Sequence, residues 1–375
     1  FGVFGEVFLV MYTLSLMKKL NLDKISPKNL WSTYKNASKL TKIIASIGLS
    51  ALLLIAAMYG IATWYKLKYK DVPLHWGFSW STKYAEEFGV NPIEGLGIAI
   101  SDLKPDRVRL MSYWDLHEPV RDEYNWTTLD TQVLVATNPG GPKISLAIGL
   151  RQPRWPECHW PQWAQDLEPE EWQAELNNYI SNVIERYDQY VDEYQLENEF
   201  LLGAFGHCPD TDRDRLISEY ELVSSLTDKP IVVSRSNNAT PTWPVGEPRA
   251  EITAMSVYKR AHAVDPVSWI GYFEYPYPSW FYGFLAGANE LHTGTRTFIH
   301  ELQAEPWGPG ATVDLSDEEQ AKTMDAKRLK KRLEFAENTG IRTIDVWGAE
   351  WSYWRKTTRN DDSTWKVFQE TFSQN

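Results

Sequence analysis

Two glutamates follow short apolar stretches of this sequence, and a pair of carboxyl groups can catalyse bond cleavage. Glu199 lies in the stretch 194–200 (YQLENEF), and Glu301 lies in the stretch 297–303 (TFIHELQ). If the two side chains faced each other across a cleft, a protonated carboxyl group could give a proton to a departing oxygen. An ionised one could attack or stabilise the developing cation. This chemistry requires a fold that brings the two glutamates together.

Eight short apolar stretches after residue 70 are strand candidates, and stretches with helical periodicity separate them. The candidates are 74–80, 107–112, 143–149, 193–199, 230–235, 252–258, 296–301 and 342–347. Residues 170–190 place their apolar side chains along one helical stripe, and a last helix is expected to begin at Ser316 and end at Gly340. Alternating strands and helices predict an α/β protein with a parallel sheet, and eight such units predict a (β/α)8 TIM barrel.

A doubly wound open sheet is the alternative fold. It would need a glycine-rich phosphate turn after the first strand, and residues 76–81 (WGFSWS) contain no such fingerprint. In a barrel, catalytic groups lie at the carboxyl ends of the strands. Glu199 ends the fourth predicted strand and Glu301 the seventh. The two carboxyl groups should therefore face each other across the mouth of the barrel, as glycoside hydrolysis requires.

The composition argues against several other kinds of protein. Two cysteines are too few for a disulfide-rich scaffold, and the seven histidines form no H-x-H or H-E-x-x-H pattern, so we expect no metal and no cofactor. Residues 1–70 carry a charge of +8 and the remainder −20, so the acidic body would repel nucleic acid.

The 18 Trp and 19 Tyr residues suit a surface that stacks on sugar rings, and Trp155, Trp351 and Trp354 are expected in loops of the catalytic face.

An uncharged apolar segment precedes the predicted barrel. Residues 43–64 are long enough to cross a bilayer as a helix. Seven lysines precede the segment and three follow it, which places its N-terminal side in the cytoplasm. We therefore expect a single-pass membrane protein with a lysine-rich cytoplasmic segment (1–42), a transmembrane anchor (43–65) and an extracytoplasmic catalytic domain (71–375). A buried core helix and a cleaved signal peptide are the alternatives.

These stretches resemble the clan A glycoside hydrolases, the 4/7 barrel superfamily, and the resemblance extends along the whole body of the chain. Asn198-Glu199 resembles the strand-four signature in which Asn binds the sugar 2-hydroxyl and Glu is the acid/base. Residues 298–302 (FIHEL) resemble the strand that carries the nucleophile, here Glu301. The motifs are similar to members of families 5 and 42, and they do not resolve the individual family.

Four further residues match the pattern of this clan as candidates for substrate binding. Arg109 matches the strand-two arginine beside the nucleophile, Tyr258 the strand-six tyrosine near the same carboxylate, and Trp347 the strand-eight tryptophan that floors the subsite. Trp114 opens a stretch that is similar to members of families 5 and 42. If the resemblance holds, Arg109 and Tyr258 keep Glu301 ionised by charge and hydrogen bonding.

Each catalytic glutamate has a neighbouring rival. Glu305 would replace Glu301 as the nucleophile if the seventh strand ended later. The apolar run leads directly into Glu301, however, and Glu305 precedes a proline and is typical of a loop, so Glu305 is counted with the substrate-binding candidates. Glu197 is the rival of Glu199, and Asn198 immediately before Glu199 favours Glu199.

The resemblance implies a retaining glycoside hydrolase that cleaves a β-linked oligo- or polysaccharide by double displacement. In that mechanism Glu199 must be protonated at the working pH, and burial and the charge of Glu301 should raise its pKa. Two alternatives use the same barrel. One is a surface adhesin or sensor that binds glycan without cutting it, and the other is a transglycosylase.

The two cysteines lie in neighbouring loops of the predicted catalytic face. Cys158 follows the third strand and Cys208 follows the fourth. Outside the cytoplasm a disulfide can form, so we expect a Cys158–Cys208 bond beside the acid/base. The alternatives are a metal site that includes His159 and His207, and two free thiols.

Overall fold

The computed structural model divides the chain into two compact units, Phe1–Met58 and Tyr59–Asn375. Helix α1 (Lys39–Lys68) begins in the first unit, and its last turns belong to the second. The residues that the structure describes are 34–36, 38–202, 206–209, 212–236, 248–263 and 267–373.

Ten strands occur in the described residues. In chain order they are β1 (His75–Ser79), β2 (Arg107–Met111), β3 (Lys143–Ile148), β4 (Glu193–Leu196), β5 (Ile231–Arg235), β6 (Ile252–Val257), β7 (Arg260–His262), β8 (Tyr272–Glu274), β9 (Arg296–Gln303) and β10 (Thr343–Trp347). All except β7 and β8 form a closed parallel barrel in the order β1-β2-β3-β4-β5-β6-β9-β10. The eight predicted strands and the barrel are confirmed.

The barrel strands are buried along most of their length because both of their faces are covered. Every residue of β2 and β6 is buried. Charged side chains occur inside the barrel where they are paired. At the amino-terminal end of the barrel, Arg107 donates to Glu193 at 2.6 Å and to Asp345 at 2.8 Å. This cluster serves stability, because the amino-terminal face of such barrels does not carry catalysis.

Helices of the second unit surround the barrel. In chain order they are α2 (Thr82–Glu87), α3 (Pro92–Leu103), α4 (Trp114–His117), α5 (Thr127–Ala136), α6 (Pro169–Tyr187), α7 (Arg213–Leu226), α8 (Ser279–Thr293), α9 (Asp317–Ala321), α10 (Ala326–Glu337), α11 (Ala349–Thr358) and α12 (Ser363–Phe372). The predicted stripe of α6 is buried from Trp172 to Tyr187, as the helical spacing of its apolar residues requires.

Two local features differ from the expectation. The stretch 316–340 forms two helices, because Asp325 accepts a hydrogen bond from the backbone of Arg328 and starts α10 separately, while Ser316 caps α9. Two more helices, α11 and α12, follow β10. The antiparallel hairpin β7–β8 was not expected; its strands have three residues each, too short for a clear alternation of apolar residues.

Helix α1 is, by length and composition, able to cross a membrane, and its most apolar window is exposed throughout. That exposure argues against a buried core helix. From Tyr59 onward the helix belongs to the second unit, where Ala62 and Tyr65 are buried. Gly287 of α8 allows close packing here, since a Cβ atom at this position would lie 2.9 Å from a methyl carbon of Ile61.

Candidate active site

Glu301 lies on β9, where the pairing with β6 changes register. Met255 pairs with Ile299 and Ser256 with Glu301, so His300 is the extra residue of a β-bulge. Side chains alternate between the two faces of a regular strand. The bulge interrupts this alternation, and both His300 and Glu301 contact groups inside the barrel.

Two donors bind the two oxygens of the Glu301 carboxylate. Arg109 Nη2 donates to Oε1 at 2.9 Å, and the Tyr258 hydroxyl donates to Oε2 at 2.7 Å. Burial and the charge of Glu301 raise the pKa of Tyr258 well above its usual value, so the hydroxyl keeps its proton. Arg109 is itself fixed by Ser79 and Gln195, each at 2.8 Å. The Glu301 carboxylate therefore has one defined orientation.

A chain of hydrogen bonds connects Arg109 to Glu199. Burial, together with the charges of Arg109 and Arg107, lowers the pKa of His300 well below its usual value, so its ring is neutral. Arginine can only donate, so His300 Nδ1 accepts from Arg109 Nη1 at 2.5 Å and Nε2 carries the ring proton. His300 Nε2 lies 3.2 Å from Ser256 Oγ, and Ser256 donates to Glu199. Both glutamates thus belong to one network.

Glu199 lies in the loop after β4, three residues beyond the end of the strand at Leu196. Glu197 and Glu199 both have left-handed backbone conformations, with φ of 55° and 47°. The carboxylate of Glu197 accepts hydrogen bonds from the backbone of Leu150 and Arg151 at 2.8 and 2.7 Å, which ties this loop to the loop after β3. Glu197 therefore stabilises the loop, and Glu199 is the glutamate that lines the cavity.

Burial and, to a smaller extent, the charge of Glu301 raise the pKa of Glu199 to about 7, against the opposing effect of the Ser256 hydroxyl. The expected direction and cause of this shift are confirmed. Near neutral pH both the protonated and the ionised form of Glu199 are therefore populated. Such a pKa suits a group that gives and takes a proton.

If the protonated form of Glu199 is the general acid, kcat/KM should fall about tenfold for each pH unit above pH 7. Ser256→Ala removes a donor that stabilises the ionised form, so this alkaline limb should move to higher pH. Initial rates between pH 4 and 9 would measure the alkaline limb of the parent protein and that of Ser256→Ala. An alkaline limb that does not move in Ser256→Ala would contradict the network described above.

Glu305 also lines the cavity, but its carboxylate is already bound on both oxygens. Arg154 donates to Glu305 through Nη1 and Nη2, each at 2.9 Å. The Arg154 guanidinium lies 4.0 Å from the centre of the Trp347 ring and 3.2 Å from that of Tyr84. Glu305 thus forms a bidentate ion pair with Arg154, whereas Glu301 shares a hydrogen-bond network with Glu199 through Arg109, His300 and Ser256.

A cavity of about 430 Å³ contains most of the residues predicted from the sequence. It is lined by Asn198, Glu199, Tyr258, Glu301, Glu305 and Trp347, together with Trp155 and Glu157, among others. Arg109 does not line the cavity, but it donates a hydrogen bond to Glu301, which does. Among the described residues, no group of three or more His, Cys, Asp or Glu side chains is arranged to hold a metal ion.

Three of the predicted tryptophans lie in the core. The structure does not bring Trp114 to the cavity; its ring is fully buried, packs against Trp163 and donates to Glu118 at 2.7 Å. Trp351 and Trp354 are 2% exposed and belong to the main apolar core. Aromatic content alone does not distinguish a core side chain from one that faces a ligand, which explains the difference.

The predicted disulfide is confirmed. Cys158 and Cys208 are joined, with an S–S distance of 2.04 Å and a Cα–Cα distance of 5.2 Å. The bond links the loop after β3 to the loop after β4. It therefore holds together two segments that carry cavity residues, Glu157 on one side and Glu199 on the other.

Replacing both cysteines with serine should lower the free energy of unfolding by about 4 kcal/mol, because the bond closes a loop of 50 residues. Denaturant unfolding of the double variant and of the parent protein would measure the difference. Equal unfolding midpoints would show that the bond does not contribute to stability.

No family model and no curated protein sequence matches the chain. An exo-β-1,4-mannosidase from Opitutaceae bacterium strain TAV5 has a similar structure at 15% identity, with a TM-score of 0.52 over 80% of this chain and 59% of the mannosidase. A β-glucosidase from Exiguobacterium marinum has 13% identity, covers 73% of this chain and 87% of its own, and has a TM-score of 0.47.

A GH113 β-1,4-mannanase also has 13% identity and a TM-score of 0.47, over 81% of this chain and all of the mannanase. The match spans less than two thirds of the length of the mannosidase. The solved structures to which the chain is similar are clan A glycoside hydrolases of several families, and the likeness to the mannosidase shows that the chain shares their eight-stranded barrel fold.

Proposed function

We propose that this chain is a membrane-anchored, retaining glycoside hydrolase that cleaves a β-linked glycan. Glu301 would be the nucleophile and Glu199 the acid/base. The observation that carries the proposal is the pair of carboxyl groups in one cavity. One is oriented by Arg109 and Tyr258, and the other has a pKa raised to about 7.

In the first step, a Glu301 oxygen attacks the anomeric carbon and the bond to the leaving oxygen breaks. The proton of Glu199 passes to that oxygen, and a covalent glycosyl-enzyme forms. The charge of Glu301 is then lost, so one cause of the raised pKa of Glu199 disappears. The pKa of Glu199 therefore falls, and its carboxyl group stays ionised more readily. As a base it takes a proton from water, which attacks the anomeric carbon and releases Glu301.

The remaining cavity residues suit a sugar. Asn198 lines the cavity beside Glu199, where the resemblance expects it to bind the 2-hydroxyl, and Trp347, which the resemblance expects at the subsite floor, lines the same cavity. The exo-β-1,4-mannosidase that shares the fold acts on a β-linked sugar, which supports a β-glycoside as the substrate. The substrate would be an oligo- or polysaccharide.

Membrane attachment is the second part of the proposal. Helix α1 would be the anchor, with residues 1–42 in the cytoplasm and the barrel outside. The lysine distribution and the disulfide support this orientation, because disulfides form in oxidising compartments. Protease treatment of intact and of permeabilised cells would test it. Degradation of the barrel in intact cells is expected, and protection until permeabilisation would contradict it.

A screen of aryl β-glycosides tests the catalytic part. The detergent-solubilised full chain would be assayed on 4-nitrophenyl β-glucoside, β-mannoside, β-galactoside and β-xyloside, and NMR would identify the first anomer released. We expect turnover of at least one substrate, with the β-anomer formed first. An α-anomer as first product would exclude retention. Retention of glycan on an affinity column without any product would instead support the non-catalytic binding barrel.

A further inference from the structure

Besides Glu199, Glu301 and the ion-paired Glu305, the carboxyl group of Glu157 lies in the candidate active site. Glu157 belongs to the loop after β3 and is 6% exposed. It lines the same cavity as Asn198, Glu199 and Glu301. The catalytic steps proposed above use two carboxyl groups, so they leave Glu157 without a role.

The loop holds Glu157 in one position. Its backbone N–H donates to Arg154 O at 2.7 Å, and its carbonyl accepts from Gln152 N at 2.8 Å. The disulfide of Cys158 follows directly in the chain. Gly206 lies so close that a Cβ atom there would be 2.7 Å from Glu157 Cβ. Such close contacts leave the backbone of Glu157 little freedom, and its side chain lines the cavity.

Glu157 also has a left-handed backbone conformation, with φ of 74°. For a residue other than glycine this conformation is sterically unfavourable. A loop that needed only the turn would be more stable with glycine at this position. The side chain is therefore retained at a cost to stability, and such positions cluster at functional sites.

Glu157 is neutral at pH 7. Burial raises its pKa to about 8, with further contributions from the charges of Glu199 and Glu301. Arg151 and Asn198 act in the opposite direction. Arg151 Nη2 lies 3.8 Å from Glu157 Oε2, beyond hydrogen-bond distance, and the Asn198 side chain is a hydrogen-bond partner of Glu157.

A neutral carboxylic acid has one O–H donor and one free carbonyl acceptor. A sugar hydroxyl likewise donates and accepts, so the two groups match as a pair. An ionised carboxylate could only accept. A buried polar group that is built to pair with a substrate hydroxyl also rejects an analogue that lacks it, because the group is then left unpaired.

We propose that Glu157 is a specificity-determining residue that binds one ring hydroxyl of the sugar held beside Glu199 and selects the sugars whose hydroxyl faces it. The inference rests on the proposed glycosidase function. It assigns Glu157 to sugar recognition, with Asn198 as its neighbour in the same subsite.

The test pairs side-chain and substrate changes. Wild type and Glu157→Leu would be assayed on the active 4-nitrophenyl β-glycoside and on each of its single-deoxy versions. Glu157→Leu should lower kcat/KM on the parent substrate by roughly 10- to 100-fold. On the one deoxy substrate that lacks the partner hydroxyl, the loss should be less than about threefold. Glu157→Gln should stay within about tenfold of wild type on every substrate, because an amide also donates and accepts.

Two controls separate recognition from folding. Glu118→Gln changes a buried glutamate that contacts Trp114 away from the cavity, and it should affect all substrates by the same factor. If Glu157→Leu does not fold, Glu157→Asp, which withdraws the carboxyl group by one methylene, should show the same single-substrate pattern with a smaller amplitude. An equal loss on the parent and on every deoxy substrate would overturn the inference. Absence of any turnover by wild type would instead refute the glycosidase function.

Discussion

Replacing Glu301 with alanine should lower kcat by roughly 10⁴-fold or more, and sodium azide should restore turnover. Without its nucleophile the enzyme cannot form the glycosyl-enzyme. The shortened side chain leaves room for azide to attack the anomeric carbon from the same side, so the product should be the α-glycosyl azide. Rates with and without azide, and NMR of the product, would measure both effects.

Two variants control this experiment. Glu301→Gln should be inactive and less destabilised than Glu301→Ala. Both variants leave the buried charge of Arg109 unpaired, but glutamine keeps one oxygen that can accept a hydrogen bond. Glu305→Ala should lose its ion pair with Arg154 and gain nothing from azide. Rescue of Glu305→Ala, with full activity in Glu301→Gln, would transfer the role of nucleophile to Glu305.

Replacing Glu199 with glutamine should lower kcat/KM by about 10²–10⁴-fold on substrates with a poor leaving group. A 2,4-dinitrophenyl glycoside needs no protonation of its leaving oxygen, so its kcat/KM should change little. Its steady-state kcat should still fall, because no base assists the attack of water, and a burst of dinitrophenol should precede the slow phase. Stopped-flow absorbance on a series of leaving groups would record this dependence.

Glu197→Gln is the matched control for Glu199→Gln, two residues away in the same loop. Glu197 accepts two backbone hydrogen bonds and lies near Arg215. Its replacement should lower stability and leave the dependence on the leaving group unchanged. A uniform loss of rate over all leaving groups in Glu199→Gln would show that Glu199 is not the proton donor.

The strands and the two central glutamates could be predicted from the sequence. Parallel strands covered on both faces give continuous apolar runs, and these runs place Glu199 and Glu301 at matching ends of the fourth and seventh barrel strands. The observed β4 ends at Leu196, before the predicted end at Glu199, because Glu197 and Glu199 adopt left-handed conformations. Such conformations in residues other than glycine leave no clear sign in a single sequence.

The network around the glutamates could not be predicted in the same way. His300 joins it because a β-bulge directs both His300 and Glu301, which are successive residues of β9, to the barrel interior. Strict alternation would have placed these two side chains on opposite faces of the strand. His300 in turn contacts Ser256. Glu157 depends on a loop whose path is fixed by tertiary contacts and a disulfide. Its position next to Cys158, which was itself expected near the acid/base, was the available signal.

The raised pKa values of Glu199 and Glu157 also link the stability of the fold to pH. An ordinary glutamate has a pKa of 4.5, whereas burial raises that of Glu199 to about 7 and that of Glu157 to about 8. Between these values the folded chain holds protons that the unfolded chain has released, so folding takes up protons from the solvent. The contribution of these groups is fully present below pH 4.5 and is lost as the pH rises through 7 and 8. For this pair, alkalinity rather than acidity is the destabilising condition.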